Sequence, residues 1–362
     1  DTYVDSSIAK QLFNRALEVI SNNNELPKVY IKDIISKSLD LFFILLIYLS
    51  KNPEISKEYL STIHKDFHLL ALFKIKTNKK NKTKEIARKL FEYLSIYGFT
   101  NWQNAINDFK LKEEHLIIPI LTAGEFHDIC FLITERYLKD RNFSFSSFDS
   151  VRNIFEQNPE IIECLTCLSN KREEESDFDF NQRMFSEAAQ NWLNLSNQIY
   201  WEKTFLILAQ RKYFNKEFKE YMEFDGIEDT NRPWDWDHIY PRSWVSSKRN
   251  ISSMVKHLVN SNGNFRALSF NENRSQNNHQ SPNVRFKDNT RVQEDSFIKE
   301  NDLQYWLELT NNDDRLKDKH EDKINAFVKA VFYRMNNIYE DVIEENVFLK
   351  VALMLPFRTK EY

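Results

Sequence analysis

Asp235, Asp237 and His238 lie close together in the segment Trp234-Asp235-Trp236-Asp237-His238-Ile239-Tyr240-Pro241-Arg242-Ser243-Trp244. A second polar segment, Asn262-Gly263-Asn264-Phe265-Arg266-Ala267-Leu268-Ser269-Phe270-Asn271-Glu272-Asn273-Arg274, follows it. Carboxylate and amide oxygens are hard ligands, suited to Mg²⁺ or Mn²⁺ rather than zinc. A histidine beside them that does not bind the metal is a suitable general base near neutral pH. Arginines and lysines around such a point, here Arg242, Lys248, Arg249, Arg266 and Arg274, can hold a phosphodiester backbone. Between residues 232 and 290 there are nine Lys or Arg against four Asp or Glu, a local +5 in a chain whose net charge is −4.

Positioning these groups requires particular elements. WDWDHIY alternates apolar and polar side chains as a short strand does, and Pro241 ends it. NFRALSF is a second strand-like run, preceded by Asn-Gly, the commonest positive-φ turn pair. Asn271 can N-cap a short helix that carries Asn273, Arg274 and Asn277. The expected order is strand, connection, strand, helix, bringing a carboxylate, an imidazole and an amide oxygen to one point.

DHIYPRSW followed by GNFRALSFNENR resembles the ββα-metal (HNH, or His-Me finger) endonuclease motif. It particularly resembles the HNH domain of RNA-guided Cas nucleases and the C-terminal HNH domain of GmrSD-type modification-dependent restriction proteins. In that family an Asp-His pair opens the motif, an Asn begins the second strand, and an Asn or His closes it nine residues later. Asn264 and Asn273 have that spacing, and Asp235 repeats an extra Asp two positions before the pair. The resemblance implies that His238 deprotonates the attacking water, that Asp237 and Asn273 hold one Mg²⁺ or Mn²⁺ with Asp235 as a further candidate, and that Asn264 pins the loop that orients His238. The closing Asn273, in place of a His, moves the chain toward the Cas-type subfamily; His257 and His279 are spare candidates for that ligand. QIYWEKTFLILAQRKYF is similar, more loosely, to the region preceding the nuclease domain in GmrSD-type proteins. DNA is the implied substrate, with a 5′-phosphate product, and restriction or antiviral defence is the implied role. A nucleotide-dependent sensor domain, upstream or on a separate polypeptide, is an implied partner; no DGQQR-like motif occurs in this sequence. Alternatives kept open are a nicking or RNA-directed nuclease, and a nucleic-acid- or partner-binding helical protein whose HNH module is silent.

The rest of the chain reads as scaffold. Four glycines in 362 residues, Gly98, Gly124, Gly226 and Gly263, compare with roughly 25 at average usage. They cannot assemble GxGxxG or GxxxxGK[ST], which excludes Rossmann and P-loop nucleotide binding, and they disfavour a sandwich or barrel. The fold class expected is mainly α: a helical bundle scaffold (1–225), the ββα-metal module (226–290) and C-terminal helices (291–362) packing on it. Apolar residues recur with helical spacing at Ile8, Leu12, Phe13, Ala16, Leu17 and Ile20. Residues 34–49 read as one central helix and 186–214 as one long helix, with 169–180 as a surface loop. Ile324, Phe327, Val328, Val331, Phe332 and Met335 make a further stripe. The longest apolar run, Leu41 to Leu49, is too short to span a bilayer. Three cysteines and no visible signal peptide fit a reducing, cytoplasmic setting.

Other candidate features have plainer readings. Cys164 and Cys167 lie in an apolar segment with no second ligand pair, which favours buried thiols over zinc. His64 and His68 occur as HKDFH rather than HExxH and read as a surface or satisfied core pair. The basic run Lys74–Lys89 reads as a solvated face, with contact to DNA phosphates as the sharper alternative. NFSFSSF at 142–148 reads as core.

Overall fold

The helical periodicity carries into the computed structural model, which is mainly α-helical with two small antiparallel ribbons. It describes residues 6–21, 26–77, 80–166, 171–218, 233–245, 251–275, 280–310, 316 and 320–343. Two compact units part between Ile120 and Leu121. The segment read as one helical body, 1–225, therefore spans the boundary, and the β-ribbon belongs to the same unit as the helices from Leu121 onward.

The first unit contains α1 (Ser6–Ser21), α2 (Lys28–Lys37), α3 (Leu39–Lys51), α4 (Lys57–Leu72), the strand pair β1 (Lys76–Thr77) and β2 (Lys80–Asn81), α5 (Thr83–Ile96) and α6 (Trp102–Lys112). The stripe of α1 is buried only toward its end, at Ala16, Val19 and Ile20, while Ile8 and Phe13 are exposed. Residues 34–49 are two helices, because the chain breaks at Ser38. Lys74 explains the break. Its buried ammonium donates to Lys37 O at 3.0 Å, a carbonyl at the end of α2, and to Ser38 Oγ at 2.8 Å. Lys74 thus anchors the bundle. In the same basic run Lys82 pairs with Glu85, Arg88 with Glu92, and Lys89 with Glu113.

His64 and His68 are core residues. His64 Nδ1 lies 2.9 Å from Val19 O; His68 lies 2.9 Å from Ile20 O and 2.8 Å from the Tyr30 hydroxyl. Burial pushes the His64 imidazole down to about 4 and His68 well below its ordinary value, so both stay neutral.

The second unit contains α7 (Ala123–Lys139), α8 (Phe148–Gln157), α9 (Asp177–Trp201), α10 (Lys203–Ala209), α11 (Arg211–Glu217), β3 (Trp234–His238), α12 (Ser253–Leu258), β4 (Phe265–Ser269), α13 (Phe270–Ser275), α14 (Pro282–Phe286), α15 (Thr290–Asp295), α16 (Glu300–Leu307) and α17 (Glu321–Ile343). The α17 stripe is buried from Ile324 to Met335 as its spacing predicts. Helix α7 begins after Pro119 on a capping box between Thr122 and Glu125. Phe143 and Phe145 are core residues. Cys164 is half-buried, with its thiol donating to Ile161 O; Cys167 lies outside the described residues.

Two expectations for 169–214 are corrected. Ser176 caps a helix that already starts at Asp177, its side chain accepting from Asp179 N, so the acidic stretch is helical from there on. The long helix is also broken twice, at Glu202 and Gln210. Both breaks are taken up by the ribbon connection and strand that follow. Asn262 Nδ2 donates to Ile199 O and Glu202 O at 2.8 and 2.9 Å, while Gln210 Oε1 accepts from Ala267 N at 2.8 Å.

Candidate functional site

Strands β3 and β4 pair antiparallel with Trp234 opposite Ser269, Asp235 opposite Leu268, Trp236 opposite Ala267, Asp237 opposite Arg266 and His238 opposite Phe265. Helix α13 follows β4 directly. The described residues thus contain strand, connection, strand and helix in the expected order. The pleat divides the ribbon's side chains between two faces. One face, with Trp234 and Trp236, packs on α11: Trp234 meets Phe214 edge-on at 5.1 Å. The other, with Asp235, Asp237, Arg266 and Leu268, bears the acidic groups.

Asn264 opens the second strand as a buried clamp. Its Oδ1 accepts from Tyr240 N at 2.8 Å, and its Nδ2 donates to Tyr240 O at 3.0 Å and Val259 O at 2.9 Å. One amide therefore satisfies both backbone groups of the residue two beyond His238. The adjoining Gly263 does not serve a positive-φ turn; its segment, Asn262–Asn264, is a 3₁₀ turn. Its missing side chain is needed for close approach instead. A Cβ there would stand 2.6 Å from Val331 Cγ1 and 2.9 Å from Val331 O on α17.

His238 is half-buried at the end of β3, its ring 4.3 Å from that of Phe265. Nε2 lies 3.4 Å from Asn260 Oδ1. An amide oxygen accepts, so this contact selects the Nε2–H tautomer and leaves Nδ1 as the proton acceptor. Desolvation lowers the imidazole pKa, with Arg242 and Lys203 pushing the same way and Asn260 and Asp237 opposing. A neutral imidazole is the form a general base requires.

On the acidic face, Asn273 Nδ2 donates to Asp235 Oδ2 at 3.1 Å. Asp237 is buried and committed elsewhere: its Oδ2 accepts from Arg266 Nε at 3.2 Å and from Arg285 Nη1. The structure thus joins Asp235 to Asn273, and Asp237 to two arginines. Among the described residues no hydrogen bond joins His238 to Asp235 or Asn273, and strand alternation places the imidazole on the face opposite the carboxylates. The single convergence expected from the sequence is resolved into two clusters, because adjacent strand residues point to opposite sides. For a divalent cation, Asp235 and Asn273 are a fitting pair of hard oxygen donors. Asp237, already facing two guanidinium charges, does not fit in this arrangement.

The remaining candidates separate by exposure. Arg242 is exposed in the short 3₁₀ turn Arg242–Trp244. Arg266 is buried against Asp237, so as placed it is an internal ion-pair partner rather than a surface phosphate contact. Arg274 lies on α13, and Lys248, Arg249 and His279 lie outside the described residues. His257 rests on the Trp201 ring at 4.1 Å in an aromatic cluster with Phe145, which accounts for its lowered pKa by burial.

Three residues escape the sequence reading. Lys203, the first residue of α10, places its ammonium 3.5 Å above the Phe265 ring and 2.9 Å from Asn262 Oδ1; burial brings its pKa down to about 7. Arg334 on α17 is fully buried and donates to Ser296 O and to Asn262 O, both at 2.6 Å. Arg285 completes the Asp237 cluster from α14. Nothing local marks them: Asn262, Ser296 and Asp237, the partners that place them here, lie tens of positions away.

Comparison with protein-family models, curated proteins and solved structures finds no match for this chain. Among the described residues no helix is long and apolar enough to cross a membrane.

Proposed function

We propose that this chain is a divalent-metal-dependent HNH-type endonuclease that hydrolyses phosphodiester bonds in DNA, acting in restriction or antiviral defence. The observation that carries the reading is the β3–β4–α13 ribbon with Asn264 clamping Tyr240, the positioning role its place in the motif implies. The motif assigns His238 Nδ1 to take the proton of the attacking water while Asn260 holds the ring through Nε2; acting on the same phosphate as Asp235 and Asn273 requires the imidazole to swing around the end of β3 to their side. Partial burial and the neighbouring Arg242 favour the neutral imidazole that a general base requires. Asp235 and Asn273 would hold Mg²⁺ or Mn²⁺, with Asp237 joining once released from its arginines. The ion supplies positive charge where negative charge grows on the phosphate and leaving oxygen. Exposed Arg242 offers a contact to the DNA backbone.

The test is plasmid incubation with Mg²⁺ or Mn²⁺, wild type beside His238→Ala. Loss of a general base lowers cleavage by roughly 10²- to 10⁴-fold. Cleavage undiminished in His238→Ala, or none by wild type and by Arg285→Gln with either metal, overturns the reading. A second reading, a silent HNH module on a nucleic-acid- or partner-binding scaffold, is favoured by the commitment of Asp237 to two buried arginines. DNA retention by gel shift without cleavage would select it.

A further inference from the structure

Asp237 is one carboxylate facing two guanidinium groups, and a third arginine is close behind. Arg266 and Arg285 both bond its Oδ2, and buried Arg334 adds its charge near Arg266. Both guanidinium groups sit beside the pair Asp235–Asn273 on the same strand face. A divalent cation approaching Asp237 in this state meets repulsion from both arginines as well as a carboxylate that is already occupied. Arg285 is held in place by its own helix. Its Nε donates to Gln280 O at 3.1 Å, and its neighbour Phe286 is buried against the Trp306 ring at 5.9 Å. The arginine reaches the carboxylate because α14 is seated on α16.

We propose that Arg266 and Arg285 form an autoinhibitory latch on Asp237, competing with a divalent cation for that carboxylate and tying cation loading to the seating of α14. With the latch open, Asp235, Asp237 and Asn273 offer two carboxylates and an amide oxygen on one side of the ribbon, a hard-cation donor set. The inference rests on the nuclease reading for the choice of cation, but its test does not use cleavage.

Mn²⁺ binding to the full chain, without nucleic acid, is measured by titration calorimetry for wild type, Arg285→Gln, and Arg285→Gln with Asp237→Asn. Removing one competing ion pair should tighten Mn²⁺ binding by roughly tenfold or more, and the double variant should lose the gain. Phe286→Ala keeps every charge but loosens α14, and should tighten Mn²⁺ binding in the same direction. It also decides the matter if circular dichroism shows that Arg285→Gln does not fold. Affinity unchanged or weakened in the folded variant, or a gain that survives Asp237→Asn, overturns the latch. Arg285→Gln that gains Mn²⁺ affinity yet fails to cut plasmid would sink the nuclease reading while leaving the latch intact.

Discussion

Asp66 and Asp237 are both buried carboxylates, and they show two ways of placing a charge inside a protein. Asp66, in the first unit, has one cation and one neutral donor: Lys110 Nζ at 2.8 Å on Oδ1 and Trp102 Nε1 at 3.0 Å on Oδ2. Both oxygens are used and the charges cancel. Asp237, in the second unit, receives two arginines on a single oxygen, beside an acid–amide pair. Arg285 registers the imbalance: burial lowers its pKa, and Arg266 adds to that against the attraction of Asp237. The first arrangement is what a core tolerates for stability. The second gathers like charges next to groups able to do chemistry, which is where function most often disturbs ionisation.

Substitutions can break this contrast. The largest effect is expected from Asp237→Asn, which strands two buried guanidinium groups; urea unfolding should show a loss at or above about 3–5 kcal/mol. Lys110→Met strands only Asp66, and should fall within that same range of about 3–5 kcal/mol. Arg285→Gln should cost far less than Lys110→Met, since Asp237 keeps Arg266. Equal losses in the two would show that the two carboxylates are alike after all. Gly263→Ala drives a methyl into Val331 and should cost about 1–3 kcal/mol, read as a lower melting temperature.

A further effect separates the regions by pH. His64 has a folded pKa of about 4 against an ordinary 6.5, so the unfolded chain binds the proton more readily between these values. Its contribution to stability is full above 6.5 and is lost as pH falls toward 4. Melting temperature followed from pH 7 to 4 should decline over that window, and His64→Gln should flatten the slope. A profile that His64→Gln leaves unchanged would remove this histidine from the acid response.

How much of this could be read from the sequence depends on how local the signal is. WDWDHIY and NFRALSF alternate visibly, Pro241 and the Asn-Gly-Asn turn delimit them, and strands with a following helix are found there. Helix α17 was equally legible from its stripe. The breaks at Ser38, Glu202 and Gln210 were not, because the groups that fill them, Lys74, Asn262 and Ala267 N, arrive from distant segments. Asp237 illustrates the same limit within the site: its position in the motif points to a metal, whereas its arginines come from the opposite strand and from α14. Asn262-Gly263 reads in the sequence as a turn pair, whereas the requirement is room for α17.

That contact has a bearing on how the molecule could be taken apart. Asn262 joins the ribbon to Ile199, Glu202 and Lys203, its carbonyl holds Arg334, and Gly263 lies flush against α17. The stretch 226–290 is contiguous in sequence but is not a cassette. Transplanted alone, it would leave behind the helix ends that its asparagine caps and the helix its glycine touches. A graft that keeps the ribbon's shape has to carry α9, α10 and α17 with it, so the transferable unit of this protein is spatial rather than linear.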